Sequence, residues 1–175
     1  AELRIGLPDD FSTDVGPVID LAARLRIDAY VDVMRANRHR ILSRSLPDEC
    51  AQGWFVAPTL IEIPSPDDLR QEVFGPVLHV VRYESASLDA VLDAIGAQGY
   101  GLTLGIQSRI DDFVQHVIGR MKVGNIYVNR SMIGAVVGVQ PFGGEGLSGT
   151  GPKAGGPLLL RRLVRGAPPP LVDLP

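Results

Sequence analysis

Cysteine and histidine are scarce in this sequence of 175 residues. It contains one cysteine, Cys50, and three histidines, His39, His79 and His116. A single thiol excludes an intramolecular disulfide framework and a cysteine-rich zinc site. Because no histidine sits at a metal-ligand spacing from another, we predict no metal site. A reducing cytoplasm fits this thiol usage best.

Long apolar runs and strong charge of one sign are also absent. No run approaches the roughly 20 apolar residues that a membrane helix needs, so we expect no membrane insertion. The first residues carry no basic region followed by an apolar core, so we expect no signal peptide. The net charge is -3 without a basic cluster, and nothing favours binding to nucleic acid. The length suits one domain with a sizeable core.

Segments of helical and strand periodicity alternate as far as residue 129. Helices are predicted at residues 20–35, briefly after Ser65, from Ser87 and over residues 113–121, and strands at residues 54–63, 77–83, 102–106 and 123–129. Asp20 is the expected N-cap of the first helix, where Leu21, Leu25, Ala29 and Val33 recur every four residues on one face. The alternation predicts an α/β fold with a mostly parallel sheet, flanking helices and functional loops at the carboxyl ends of strands.

After residue 129 the periodicity gives way to a glycine-rich run over residues 134–157. Residues 144–149, GEGLSG, match the spacing of a dinucleotide fingerprint, but prolines occur where a strand and a helix are required on either side. We therefore reject a phosphate cradle there. Two interpretations of the run stay open: a flexible surface loop, or a shaped loop whose backbone amides approach a ligand.

Glu72 and Cys50 are the candidate reactive side chains. Glu72 is either a solvated carboxylate at the end of a helix or an acceptor for two vicinal hydroxyls. Cys50 follows Asp48 and Glu49, whose charges disfavour a thiolate, so we predict a passive thiol. The tail at residues 166–170 is rich in proline and favours an extended arm.

Several stretches resemble aldehyde dehydrogenases. Residues 71–77, QEVFGPV, are similar to the cofactor-ribose motif, and residues 53–60, GWFVAPTL, resemble the strand that precedes it. Residues 123–130, VGNIYVNR, followed by GAVVGVQPFGG, resemble the substrate loop of 1-pyrroline-5-carboxylate dehydrogenases, especially those of bifunctional proline utilisation A proteins. The likeness implies the C-terminal part of the catalytic domain over residues 1–165. It leaves residues 166–175 as an extended tail, a possible oligomerisation strand.

The resemblance implies an activity and a role for each matching residue. The activity is NAD-dependent oxidation of L-glutamate 5-semialdehyde to L-glutamate in proline catabolism, by a homo-oligomer of the bacterial cytoplasm. Glu72 would hold the nicotinamide ribose hydroxyls, and Phe74 would pack beside the nicotinamide. The backbone amides of Gly134 and Ala135 would grip the substrate α-carboxylate, and Phe142 would pack against its aliphatic chain.

The resemblance leaves the catalytic nucleophile unassigned. In the family, the nucleophilic cysteine, the general-base glutamate and the NAD domain precede the stretch that begins at Leu3, and Cys50 matches none of those motifs. We therefore assign no catalytic residue here and expect these 175 residues alone to be inactive. The alternative is a non-catalytic aldehyde dehydrogenase-like module for subunit assembly. Retention of Glu72 and of the complete loop favours the enzyme segment.

Overall fold

The described residues of this computed structural model are 2–133, 139–149 and 151–164. They divide into two units between Ala86 and Ser87. The α-helices are α1 Leu21–Ala36, α2 Leu88–Ala97, α3 Asp111–Arg120 and α4 Leu159–Arg162. The strands are β1 Arg40–Ser43, β2 Thr59–Glu62, β3 Val77–Val80, β4 Tyr100–Gly101, β5 Thr103–Ile106, β6 Asn125–Val128 and β7 Glu145–Gly146. Short 3-10 helices occupy Asp48–Gln52, Pro66–Asp68 and Ser85–Ser87. The predicted α/β class is confirmed.

Helix α1 begins where the sequence predicts. The Asp20 carboxylate accepts a hydrogen bond of 2.6 Å from the backbone N–H of Ala23, which satisfies one of the unpaired donors of the first turn. The 3-10 helix Pro66–Asp68 is capped in the same way, because the Ser65 hydroxyl accepts from the N–H of Asp67. Both predicted helix starts are therefore confirmed.

The buried face of α1 differs from the face that the four-residue series marks. Ile27, Val31 and Met34 are buried, whereas Leu25 is 57% exposed and Val33 is similarly open to solvent. A helical turn contains 3.6 residues, so a series at strict spacing of four drifts around the helix axis. Ile27, Val31 and Met34 instead follow spacings of four and three, which keeps them on one line.

The first unit contains a three-stranded sheet in the order β1-β2-β3. Strand β2 pairs parallel to β3, and β1 pairs antiparallel to β2. Buried residues of α1 and the sheet region form one core cluster: Ile27, Val31, Met34, Val56, Ile61 and Ile63. The ladder of β2 begins only at Thr59, directly after Pro58, which has no N–H to donate. Strand β1 was not predicted from the sequence, because it is a short edge strand with mostly exposed residues.

The second unit is built around the predicted strand, helix, strand unit. Strands β5 and β6 pair parallel, with Thr103 opposite Asn125, and α3 connects them. Apolar residues of α2, β5, α3 and its end form the core: Leu92, Ile106, Val114, Val117 and Met121. Strands β4 and β7 form an additional antiparallel pair. Of the four strand pairs in the described ranges, two are thus parallel and two antiparallel.

Two glycines of the second unit are required by the backbone around them. A Cβ atom at Gly124 would lie 1.8 Å from the carbonyl oxygen of Gly143, so the two backbones are in direct contact. Gly146, in β7, has a φ of +61°, which disfavours other residues. The described part of the glycine-rich run is therefore shaped by pairing and close approach.

No described helix is long and apolar enough to cross a membrane. The tail at residues 166–175 lies outside the described residues. Its assignment as an extended arm and the domain boundary after residue 165 therefore stay predictions.

Gly124→Ala should destabilise the protein by about 1–3 kcal/mol, because the added methyl group meets a backbone carbonyl and not the movable end of a side chain. Urea unfolding of the purified chain measures the change. Gly119→Ala is the control, since a Cβ there meets nothing within 4 Å. Alanine in that helical position should stabilise by up to about 1 kcal/mol. Equal effects of the two substitutions would contradict the close contact.

Candidate functional site

Glu72 and Phe74 are exposed in the segment without helix or strand that joins the 3-10 helix Pro66–Asp68 to β3. Glu72 is exposed, and Phe74 is 79% exposed, which is unusual for a phenylalanine. Val73, between them, packs against the core cluster of the first unit. Glu72 and Phe74 are thus both open to solvent on either side of a residue that packs in the core.

The backbone beneath these two side chains is held in place. The carbonyl of Pro76 accepts a hydrogen bond of 2.9 Å from the N–H of Thr59, which ties the segment to β2. Gly75 packs against Ile27, whose Cδ1 lies 2.5 Å from an ideal Cβ position. Within the described residues Glu72 makes no hydrogen bond or ion pair, so both carboxylate oxygens can accept from a ligand.

The position of Glu72 corrects one expectation about the sheet. Functional residues were predicted on loops at the carboxyl ends of strands, but Glu72 and Phe74 lie before the amino end of β3. The loop that follows β6, in contrast, does begin at a carboxyl end. The expectation that ligands bind at the carboxyl ends of parallel strands does not apply to a segment that precedes the amino end of a strand.

A cleft of about 840 Å³ adjoins this segment and was not foreseen from the sequence. Polar residues of α1, of the chain just after it and of the segment before Glu72 line much of it: Arg26, Tyr30, His39, Asp68, Arg70 and Gln71. Oδ2 of Asp68 is buried and has no hydrogen-bond partner among the described residues. The cleft therefore combines two guanidinium groups with a free buried acceptor. These residues show no common spacing in the sequence.

Tyr30, which lines this cleft, forms a polar contact with His79. The Tyr30 hydroxyl and Nε2 of His79 are 2.8 Å apart. Burial, followed by the nearby charge of Asp68, raises the pKa of Tyr30. Burial, followed by the charge of His39, lowers the pKa of His79 and favours its neutral form. Both shifts favour the uncharged forms of the two groups.

Phe142 occupies a fixed backbone position in the second unit. Its N–H donates to the carbonyl of Ala154 at 3.0 Å, and its own carbonyl accepts from the N–H of Ala154 at 2.8 Å. The side chain is half-buried. Gly134 and Ala135, the predicted carboxylate contacts, lie outside the described residues. Their roles and that of Phe142 remain predictions.

Strand β6 and the residues directly after it contain polar side chains that were not predicted as site residues from the sequence. Asn125 hydrogen-bonds to the backbone on either side of Phe142, and the hydroxyl of Tyr127 accepts from the side-chain amide of Gln140. The guanidinium of Arg130 lies 5.0 Å from the centre of the Tyr127 ring. Alternation of Asn125 and Tyr127 along a strand was the available signal, since residues two apart share a face.

Cys50 has the environment of a structural thiol. It is 2% exposed and packs with Ile5 and Phe55. Burial, followed by the negative charge of Glu49, raises the pKa of the thiol. Both effects oppose formation of a thiolate, which supports the prediction of a passive residue. In the described part of the chain, no group of three or more His, Cys, Asp or Glu residues could hold a metal ion.

The fold and the two candidate segments together point to a class. The chain has two parallel strand pairs, an exposed glutamate and phenylalanine before one strand, and a glycine-rich run after another, whose described part is shaped by backbone contacts. The model of the aldehyde dehydrogenase family matches residues 1–165. The chain belongs to the aldehyde dehydrogenase family.

Within this family the chain is similar to proline-catabolic enzymes. It is 54% identical over 173 residues to the bifunctional protein PutA of Klebsiella aerogenes, covering 96% of this chain and 13% of that protein. A crystal structure of Bradyrhizobium japonicum proline utilization A matches with a TM-score of 0.85 and 57% identity, covering 92% of this chain and 16% of that one. A 1-pyrroline-5-carboxylate dehydrogenase from Thermus, solved with bound NAD, matches with a TM-score of 0.76 and 35% identity, covering 88% of this chain and 29% of that one. The chain thus spans a minor part of each relative.

Native Cys50 should react with DTNB at least about tenfold more slowly than in urea, because a buried thiol must wait for an opening of the structure. The time course of absorbance at pH 8 measures both rates. Cys50→Ser is the control and should give no signal in either condition. Equal rates in the native and unfolded chain would show that the thiol is accessible.

Proposed function

We propose that this chain is the ligand-holding C-terminal segment of an NAD-dependent 1-pyrroline-5-carboxylate dehydrogenase of the bacterial cytoplasm. The complete enzyme oxidises L-glutamate 5-semialdehyde to L-glutamate. One combined observation carries the proposal. An exposed glutamate and phenylalanine lie on a fixed backbone, in a chain that is 54% identical to a PutA protein. Cys50 is buried and does not supply the nucleophile, so that role belongs to residues outside this sequence.

The first unit has groups that fit a nucleotide cofactor. The two carboxylate oxygens of Glu72 can accept hydrogen bonds from both hydroxyls of a ribose, and Phe74 offers an exposed ring for a planar group. In the adjoining cleft, Arg26 and Arg70 suit phosphate, and the unpartnered Asp68 oxygen suits a hydroxyl donor. NAD, when bound, accepts the hydride from the substrate.

The second unit has groups that fit the aldehyde substrate. L-Glutamate 5-semialdehyde has an α-carboxylate at one end, an aldehyde at the other and methylene groups between them. The half-buried ring of Phe142 suits the methylene groups. Backbone amides at Gly134 and Ala135 suit the carboxylate, because glycine permits close approach of a donor. Binding of both the carboxylate and the methylene groups would hold the aldehyde in one position for attack.

Glu72→Gln in the complete enzyme should raise the KM for NAD about tenfold, because charge-assisted hydrogen bonds to the ribose become neutral ones. Steady-state kinetics with NAD varied at saturating semialdehyde provides the measurement. Glu84→Gln removes the charge of another exposed glutamate in the same unit and should leave the KM for NAD unchanged. A KM for NAD that is the same in wild type and Glu72→Gln would contradict the ribose assignment.

Gly134→Val should raise the KM for the semialdehyde far more than the KM for NAD, because the side chain blocks approach of the carboxylate to the backbone. Varying each substrate in turn separates the two constants. Oxidation of an aliphatic aldehyde without an α-carboxylate is the control and should lose much less. A parallel rise of both KM values would rule out the carboxylate anchor.

A further inference from the structure

Asn125, the first residue of β6, spans the two peptide groups that flank Phe142. Its side-chain nitrogen donates to the carbonyl of Pro141 at 3.0 Å. The backbone N–H of Gly143 donates to its side-chain oxygen at 3.4 Å. Because the N–H and carbonyl of Phe142 itself are paired with Ala154, the polar backbone groups at and beside Phe142 are held from both sides.

The chemistry of asparagine matches this task. The contact needs one donor for a carbonyl and one acceptor for an N–H, and a primary amide supplies both in one plane. Aspartate has no donor at neutral pH, and alanine has neither group. Asparagine is also depleted in strands, so its occurrence at the start of β6 indicates a specific use. The direct contact of Gly124 with Gly143 brings the strand close enough for this short side chain to reach.

Tyr127 reinforces the same connection from the same face of β6. It is 5% exposed, and its hydroxyl accepts from Gln140, two residues before Phe142. Residues 125 and 127 share a face because side chains alternate along a strand. The segment at residues 140–143, which contains Phe142, is thus attached to one face of β6 through two side chains.

We propose that Asn125 is a positioning residue that holds Phe142 and thereby sets the fit of the enzyme to the aliphatic chain of its substrate. The inference rests on the proposed function, since Phe142 is the assigned contact of the methylene groups. Asn125 acts through Phe142, so its removal weakens substrate binding and leaves the cofactor unaffected. Among the described residues, the side chain of Asn125 hydrogen-bonds only to the peptide groups on the two sides of Phe142.

The experiment is a double-mutant cycle in the complete enzyme with Asn125→Ala and Phe142→Ala. Asn125→Ala should raise the KM for the semialdehyde about five- to tenfold, with kcat and the KM for NAD changed by less than about twofold. In the Phe142→Ala background it should cause no further rise, because the two substitutions then remove the same interaction. Gln115→Ala, which removes an exposed side-chain amide from α3, is the matched control and should leave all constants unchanged.

Asn125→Asp provides a second variant in case Asn125→Ala fails to fold. It keeps the acceptor for Gly143 but cannot donate to Pro141, and the same selective rise in KM is expected. An unchanged KM for the semialdehyde, additive effects in the double mutant, or an equal rise in the KM for NAD would overturn the positioning role. Failure of the proposed function shows differently, as a wild-type enzyme that does not prefer the semialdehyde over an aldehyde lacking the α-carboxylate.

Discussion

The direct backbone contact between Gly124 and Gly143 is the constraint on which the second unit depends. No side chain fits between these residues, so the start of β6 lies against the segment that follows Phe142. This proximity makes a two-sided contact by Asn125 possible, and it lets Tyr127 reach Gln140. The glycines here allow close approach of two peptide chains, which then determines where a phenylalanine ring is held.

The two units hold their candidate site residues by different means. In the first, hydrogen bonding and packing of Val73, Gly75 and Pro76 fix a short segment, in which Glu72 and Phe74 are exposed. In the second, a strand face supports a loop through side-chain amide and hydroxyl groups. The apparent dinucleotide fingerprint belongs to neither arrangement. Gly146, within it, pairs with Tyr100 in a short antiparallel ladder.

Helices and strands with a strong local pattern of capping or hydrophobic periodicity could be predicted from the sequence. The cap at Asp20 and the periodicity of α2, α3, β5 and β6 were sufficient, because capping and burial of one face are local properties. Features that depend on contacts with other parts of the chain could not be predicted in this way. The exposed face of α1 resembled a core face, and β1 exists only because β2 offers an edge. Glu72 and Phe74 were predicted through their motif, whereas the cleft at Arg26 and Arg70 and the hydrogen bonds of Asn125 depend on contacts between residues distant in sequence.

A crystal structure of the complete enzyme with NAD and L-glutamate bound would show whether residues of this chain hold both ligands. We expect the Glu72 carboxylate within hydrogen-bonding distance of the nicotinamide ribose hydroxyls. We also expect the α-carboxylate of glutamate on the backbone amides of Gly134 and Ala135, with the ring of Phe142 against the methylene groups. A ribose held by a different carboxylate, or a glutamate bound away from residues 134–142, would contradict these assignments.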